Sequence, residues 1–525
     1  MDHDIEQAKN LKLLLSVFEQ LSGLKINFHK SELFCYGEAK GLEDQYAEIF
    51  WCKIGDYPFR YLGIPMHHRK LRNSDWKIIE ERFERKLNCW KAKYLSYGGR
   101  LVLINSVLSS LPMFMMSFFE LPKGVLEKLD FYRSRFFWQG NASKKKYRLA
   151  RWDLIYRPKD QGGLGIIDLE IQNKCLLSKW LFILFNEDGI WQSLLRKKYL
   201  GSKTLSQVSA KPTDSHFWKG LLNVKHTFLS YTSYNIKDGS QISFWEDVWR
   251  GNRPFSERFP NLYHVVFNKH DTVEQVVSTN PLNLSFRRTL GGVKLTEYIN
   301  LVAYLRDFNL ADKRDTISWK LHNNGQFSVR SMYQKLINQQ VPFRHKYIWK
   351  LKIPLKIKIF LWYLLKGVLL TKDNLAKKNW DGSHKCYFCN CNETIQHLFF
   401  DCHHAKILWR VVAVATGLPP PSSVAHMSST WLLDIDSTQR KLILVGVAAL
   451  CWAIWRCRND ICFNNVRYTS FLQALFRGAY WLQFWALLQP AGTQELLRSV
   501  SKNLETTTLE LFSRFGWKFN NRLGS

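Results

Sequence analysis

A cysteine–histidine array between residues 386 and 402 constrains this chain more than any other feature. Its spacing is C-x2-C-x7-H-x4-C, and four of the 11 cysteines of the chain fall inside it. Zn²⁺ prefers four soft or borderline donors in a tetrahedron, and a closed set of three thiolates and one imidazole is typical of a structural site. Ordinary buried thiols beside a core histidine are the alternative, which this clustering disfavours. The predicted zinc ligands are Cys386, Cys389, His397 and Cys402.

Three further donor residues lie in the array or directly after it, namely Cys391, His403 and His404. We expect them to be neighbours of the metal rather than ligands, because four donors already close the shell. With no open coordination position and no Glu-x-x-His motif, nothing predicts catalysis at this metal.

The composition favours a folded, nucleic-acid-binding protein. The chain has 525 residues, of which 46% are hydrophobic and 15% aromatic, which excludes a disordered protein and predicts three or four domains. Its formal net charge of +31 indicates a polyanionic partner, nucleic acid before membrane. The periodicity is mainly helical with a few short strands, so we expect a mostly helical α+β multidomain fold.

Neither a targeting signal nor a membrane segment is predicted. The chain opens with an acidic Met-Asp-His-Asp, and its longest apolar run, residues 442–455, is too short for a bilayer and predicts a buried helix. The seven cysteines outside the array show no disulfide framework. We therefore expect a reducing compartment, nuclear or cytoplasmic, and no membrane partner.

The local patterns predict particular elements. Apolar residues at a helical period over 5–22 predict a helix that ends at Gly23. Alternation predicts strands over 24–28 and 59–62, and short strands at 242–245 and 327–329.

A lysine-rich segment predicts contact with phosphates. Residues 346–358 carry five lysines and no acid, and residues 341–410 carry 13 Lys or Arg against 4 Asp or Glu. Tyr347 and Trp349 have two interpretations, base stacking or core packing, and we favour the core for Trp349, Phe360 and Trp362. No sequence-reading element is apparent, so we expect non-specific binding of RNA or an RNA–DNA hybrid. The predicted contacts are Lys346, Lys350, Lys352, Lys356 and Lys358, together with Lys144, Lys145 and Lys146.

Several sequence strings together resemble one family. They are LKINFHKSE at 24–32, RYLGIP at 60–65, FWEDVW at 244–249, FSVRSMY at 327–333, IWKLKIPLKIKIFLW at 348–362, TKDNL at 371–375 and IWRCRN at 454–459. In this order, with the zinc array, they resemble the C-terminal part of plant LINE-type (non-LTR) retrotransposon reverse transcriptases, including the reverse-transcriptase zinc-binding domain. The resemblance covers essentially the whole chain.

The resemblance implies a domain order. Residues 1–66 are expected to be a remnant of the palm, 67–140 a helical thumb-like subdomain and 141–325 a mixed α/β connection region. Residues 326–415 are expected to form the reverse-transcriptase zinc-binding domain, and 416–525 a linker and helical tail.

The chain departs from the family at the catalytic motif. The family holds two Mg²⁺ ions with palm carboxylates, including a Tyr-Ala-Asp-Asp hairpin that precedes the segment matching residues 5–35. Since the chain starts at that segment, we expect a 5′-truncated product with no catalytic residues, no Mg²⁺ site and no enzyme activity on its own.

Four motif positions nevertheless match the family. Lys30 matches a lysine near the phosphates of the incoming nucleotide, although a solvated loop lysine is the simpler interpretation. Tyr61, Leu62 and Gly63 match the turn that supports the primer terminus, or a strand end packed on the palm core.

Three hypotheses about function remain open. The chain is a catalytically inactive remnant that binds nucleic acid non-specifically, a piece of a complete RNA-directed DNA polymerase whose palm was missed upstream, or a domesticated zinc module that binds a protein partner. The sequence does not indicate an oligomeric state.

Overall fold

A computed structural model describes residues 4–61, 63–67, 71–90, 94–139, 147–338, 341–464, 466, 468 and 470–515. Over these residues helices dominate, and the strands form three two-stranded sheets. The expected mostly helical α+β fold is confirmed.

The N-terminal segment has a small core of its own, built on Ala8, Tyr46 and Phe50. Asp4 caps the first helix by accepting the N–H groups of Glu6 and Gln7, and Gly23 ends it at φ 71°. β1 and β2 pair in parallel, and β3 and β4 form an antiparallel hairpin. The elements are α1 (Ile5–Ser22), β1 (Glu32–Leu33), α2 (Glu43–Phe50), β2 (Lys53–Ile54), β3 (Phe59–Tyr61) and β4 (Ile64–Met66).

The predicted helix over 5–22 and the strand near 59–62 are confirmed, but the strand predicted over 24–28 is wrong. That segment contains no strand, and Phe28–Lys30 forms a 3₁₀ turn, in which the Asn27 side chain accepts the N–H of Lys30. Alternating apolar residues make a strand only where a neighbouring strand accepts the backbone hydrogen bonds.

A helical region follows and contributes to the largest core of the protein. Trp76, Phe83, Leu129 and Trp138 are among its fully buried side chains. Its helices are α3 (Lys77–Cys89), α4 (Tyr97–Leu103), α5 (Met113–Met116), α6 (Lys123–Trp138) and α7 (Trp152–Tyr156).

The middle of the chain contains two smaller cores. One packs α8 against α10, α15 and an antiparallel pair of strands, and the other surrounds Trp245 and Phe255. The elements are α8 (Leu169–Asn186), α9 (Ile190–Leu195), α10 (His216–Leu229), β5 (Thr232–Asn235), α11 (Phe255–Arg258), α12 (Pro260–Val265), α13 (Val273–Val277), α14 (Val293–Leu305), β6 (Thr316–Trp319) and α15 (Val329–Ile337).

The strands predicted at 242–245 and 327–329 are wrong. Residues 242–245 form a buried turn, in which the Ser243 N–H donates to the Asp247 carboxylate over 2.8 Å. Ser328 caps α15 by accepting the N–H of Ser331. A short apolar run does not distinguish a buried turn from a strand.

The C-terminal helices complete the largest core. α20 packs against α21, and α21 packs against α22. The elements are α16 (Leu355–Leu365), α17 (Lys372–Ala376), α18 (His403–Thr416), α19 (Val424–Ser428), α20 (Ser437–Asn464), α21 (Leu472–Ala486) and α22 (Ala491–Phe515). This core also takes in residues of the zinc array and of α3–α7. The domain boundaries stay predictions, because a shared core does not divide the chain.

The apolar run at 442–455 lies in α20. By length and composition this is the one helix in the described part of the chain that is able to cross a membrane, and 61% of its most apolar stretch is buried within the protein. Such burial is what a core helix requires, as predicted for this run.

Candidate metal centre

A tight turn presents the first two cysteines of the array. Lys385 and Asn392 form an isolated antiparallel bridge, and the Cys386 N–H donates to the Cys391 carbonyl over 2.8 Å. Between them the chain reverses, and the N–H of Phe388 donates to the Cys386 sulfur over 3.4 Å. The two thiols thereby lie on the same side of one turn.

A π-helical turn brings back the histidine and the third cysteine. It spans His397–Asp401, and the His397 N–H donates to the Thr394 hydroxyl over 3.0 Å. The Cys402 N–H donates to the His397 carbonyl over 2.8 Å, and α18 begins directly afterwards. The apolar residues of this turn are buried in the largest core, so the core fixes where these two donors lie.

The four predicted ligands converge on one point. Their donor atoms all lie within 4.8 Å of one another. The Cys386 and Cys402 sulfurs are 4.0 Å apart, and the Cys402 and Cys389 sulfurs are 3.9 Å apart. The Cys389 sulfur is 3.1 Å from His397 Nε2. Zn–S bonds of ~2.3 Å in a tetrahedron separate two sulfurs by about 3.8 Å, so this donor set fits zinc.

The site also favours the thiolate form of Cys386, which is the form that binds a metal. A hydrogen bond with the Cys402 thiol lowers the pKa of Cys386 to about 6, against the opposing effect of burial. The same hydrogen bond raises the pKa of Cys402, whose thiol holds the shared proton. Since thiolates are the metal ligands, metal binding at this site displaces the remaining thiol protons.

The spare donors lie outside the group of four. Cys391 and His403 are exposed. His404 is buried, its ring stacks 4.1 Å from that of Phe388, and its Nε2 lies 2.5 Å from the Tyr468 hydroxyl. Burial lowers the pKa of His404 to about 3, so its imidazole is neutral and packs in the core.

A buried ion pair that the sequence did not reveal ties this site to the C-terminal helices. Arg458 of α20 donates to Glu393 over 2.6 Å, and their side chains are 1% and 0% exposed. The Glu393 carboxylate also accepts the backbone N–H of Lys372 over 3.0 Å. The backbone N–H of Glu393 donates to the backbone carbonyl of His384 over 2.9 Å. Arg458 is one of several charged residues of α20, so nothing in the sequence singled it out as the partner of Glu393.

The predicted phosphate contacts divide into two groups. Lys346, Lys350, Lys352 and Lys356 are exposed. Lys358 is half-buried, and its ammonium donates to the Trp349 carbonyl over 2.9 Å. Burial lowers the pKa of Lys358. The hydrogen bond gives this lysine a structural partner. Lys144, Lys145 and Lys146 lie outside the described residues.

The aromatic residues of this segment pack in the core. Phe360 and Trp362 are buried, and the Trp362 indole N–H donates to the Gly162 carbonyl over 3.0 Å. Trp349 is half-buried and donates to the Lys159 carbonyl over 3.1 Å. The preference for core packing of these three residues is confirmed. Tyr347 is half-buried against the same core.

The family motif positions lie in the N-terminal segment. Lys30 is exposed at the end of a 3₁₀ turn, as a solvated loop lysine would be. Tyr61 is 61% exposed, so its ring is not packed on a core. Gly63 has φ 84°, which suits glycine in the turn between β3 and β4. Leu62 lies outside the described residues.

Comparisons with known proteins agree with these observations. Residues 327–409 match the family described as zinc-binding in reverse transcriptase. An Arabidopsis thaliana protein named "Putative ribonuclease H protein" is 30% identical over 366 residues, which cover 66% of this chain and 58% of the relative. An Arabidopsis thaliana protein named "Uncharacterized mitochondrial protein" is 29% identical over 142 residues, which cover 27% of this chain and 92% of the relative. The chain thus spans less than two thirds of the first relative.

Proposed function

Because the chain is a retrotransposon reverse-transcriptase-related protein with a zinc-binding domain, as the resemblance predicted, we propose that it binds RNA or an RNA–DNA hybrid. Binding is non-specific and uses a cationic surface that a structural Zn²⁺ ion helps to fix. We propose that the chain performs no DNA synthesis on its own.

The observation that carries this proposal is a set of exposed lysines on a segment that shares its core with the metal centre. Lys346, Lys350, Lys352 and Lys356 project from a turn and a helix whose apolar residues belong to the same core as the cysteines. Within the ranges that the structure describes, no carboxylate lies within ion-pair distance of these four ammonium groups. Unpaired cations on a rigid surface neutralise phosphates and release counterions.

The zinc ion would act as a structural element. Three thiolates and one imidazole fill a tetrahedral shell and leave no position for water or substrate. The ion would be held by Cys386, Cys389, His397 and Cys402 and would clamp the turn at 386–391 to the start of α18. Because the cysteines must not be oxidised if they are to bind the metal, we also propose a nuclear or cytoplasmic location.

Replacing three of the lysines tests the phosphate contacts. We expect the variant Lys350→Ala/Lys352→Ala/Lys356→Ala to bind single-stranded RNA at least ~10-fold more weakly at low salt. The slope of log affinity against log salt should fall by about 2, since each contact with a single strand contributes roughly 0.7. Fluorescence anisotropy at several salt concentrations measures both quantities.

A matched control removes three exposed cations elsewhere, in the variant Lys313→Ala/Arg498→Ala/Lys502→Ala. Lys358 is left intact in both variants, since its ammonium holds the Trp349 carbonyl. Equal affinity and equal salt slopes for the two variants would contradict the proposed contacts.

A second candidate function is a role within a complete RNA-directed DNA polymerase. It is favoured by α1, where Leu13, Leu14 and Leu21 are 62%, 65% and 84% exposed and offer an apolar surface to another polypeptide segment. A primer-extension assay with Mg²⁺ on the purified chain tests the first proposal, and the same assay on the chain joined to an upstream palm segment tests the second. Extension would overturn the claim that the chain is inactive on its own.

A further inference from the structure

A cleft of about 610 Å³ lies between the turn at 346–350 and the segment that joins α19 to α20. Its size falls in the range of small-molecule and cofactor sites, roughly 300–1,000 Å³. Residues 344–351 form one side of it, and residues 427–444 form the other. No sequence pattern pointed to it, because its two sides are about 90 residues apart in the chain.

The rim of the cleft is strongly cationic. Four basic side chains line it, and so do three serines, whereas no carboxylate does. No carboxylate of the described residues lies within ion-pair distance of the four basic groups. These rim residues are Arg344, Lys350, Arg440, Lys441, Ser428, Ser429 and Ser437.

Arg440 is half-buried and is held in place by the protein. Its Nη2 donates to the carbonyls of Leu433 and Ile435 over 2.9 and 3.0 Å. Its Nε is buried and has no hydrogen-bond partner within the part of the chain that the structure describes. A half-buried, fixed guanidinium with an unused N–H is suited to an anionic oxygen.

The N-terminus of α20 borders the cleft. Ser437, the first residue of this 28-residue helix, lines the cleft. Asp436 lies just before it, does not line the cleft, and accepts the N–H groups of Thr438 and Gln439. The Asp436 carboxylate interacts with Lys441 at longer range, so Arg344 and Lys350 remain the stronger candidates for a phosphate.

The floor of the cleft is apolar and contains an aromatic ring. Tyr347 lines it, half-buried, together with the buried side chains of Leu351, Met427, Leu432 and Leu444. A planar base is able to rest on such a floor, and base–aromatic stacking contributes to single-strand binding regardless of sequence.

We propose that this cleft binds one unpaired nucleotide of a single-stranded nucleic acid, with its phosphates on the cationic rim and its base against Tyr347 and the apolar floor. The inference rests on the proposed function. It assigns one defined nucleotide site to the cationic surface that the proposed function uses. It adds Arg344, Arg440 and Lys441 to the lysines found from the sequence.

The test uses the full zinc-loaded chain and two basic residues outside the lysine segment. We expect Arg344→Ala/Lys441→Ala to bind a fluorescein-labelled oligouridine 12-mer at least ~10-fold more weakly and to lower the salt slope by about 0.7 to 1.4, the lower value if Asp436 offsets the charge of Lys441. The control is Arg498→Ala/Lys502→Ala, which removes the same charge from the exposed surface of α22. Zinc content and thermal unfolding of both variants verify that each is folded.

A second measurement locates the base. RNA containing 5-iodouridine should cross-link to Tyr347, as mapped by mass spectrometry, and excess AMP should not displace the strand. Three results would overturn the assignment of the nucleotide to this cleft and leave the proposed function in place. They are cross-links confined to other regions, an unchanged RNA affinity of the variant, and equal binding of duplex RNA. Complete displacement by AMP would assign the cleft to a free mononucleotide and overturn the strand assignment. No RNA binding by the wild-type chain would overturn both.

Discussion

The double variant Cys386→Ser/Cys389→Ser is expected to lose zinc and to unfold the region around residues 380–405. Both sulfurs belong to the group of four donors, and Cys386 is buried in the core. Structural zinc sites contribute on the order of 10–16 kcal/mol of apparent binding free energy in small domains, comparable to the whole stability of a typical domain. Metal analysis and limited proteolysis between 380 and 405 measure the two effects.

Cys391→Ser provides the matched control for this experiment. Cys391 is in the same turn but is exposed, and it is not a member of the donor group. This variant should keep its zinc and resist proteolysis as the wild type does. A double variant that still binds one zinc per chain would show that the ligands are wrongly assigned, and chelation of the wild type should reproduce the proteolysis pattern of the double variant.

The variant Glu393→Ala is expected to destabilise the core by about 3–5 kcal/mol, because it leaves the Arg458 guanidinium buried without its counter-charge. Arg458 is 1% exposed, and Glu393 supplies three of its hydrogen bonds. The loss also removes the acceptor of the Lys372 N–H. Denaturant unfolding followed by tryptophan fluorescence measures the change.

Two further variants make this result interpretable. Glu495→Ala removes an exposed acid from α22 and should change stability by less than about 0.5 kcal/mol. Glu393→Gln/Arg458→Met removes both charges and should recover much of the loss, since a buried pair is often replaceable by uncharged groups. If Glu393→Ala unfolds at the same denaturant concentration as the wild type, the ion pair is not the link between the metal centre and α20.

The sequence predicted well where the signal is local. The spacing of the four ligands identified a group that the structure brings within 4.8 Å, because a tight turn and a helical turn are set by nearby residues. The end of the first helix at Gly23 was also predicted. The burial of Trp362 was also predicted.

The sequence predicted poorly where the partner is distant. Glu393 and Arg458 are 65 residues apart, and nothing in either segment indicates that they meet. The strand predicted at 242–245 failed because Asp247 turns the backbone, and the chain pairs Thr232–Asn235 with Thr316–Trp319 across about 80 residues instead. Lys358 looked equivalent to its neighbours until the Trp349 carbonyl proved to be its partner.

The central claim is that three sulfurs and one imidazole hold a structural zinc ion. X-ray absorption spectroscopy on the purified full-length chain, combined with metal analysis, tests it most directly. We predict one zinc per chain, with three sulfur neighbours at ~2.3 Å and one nitrogen at ~2.0 Å. A chain that purifies folded without zinc, or a metal surrounded mainly by oxygen, would contradict the account.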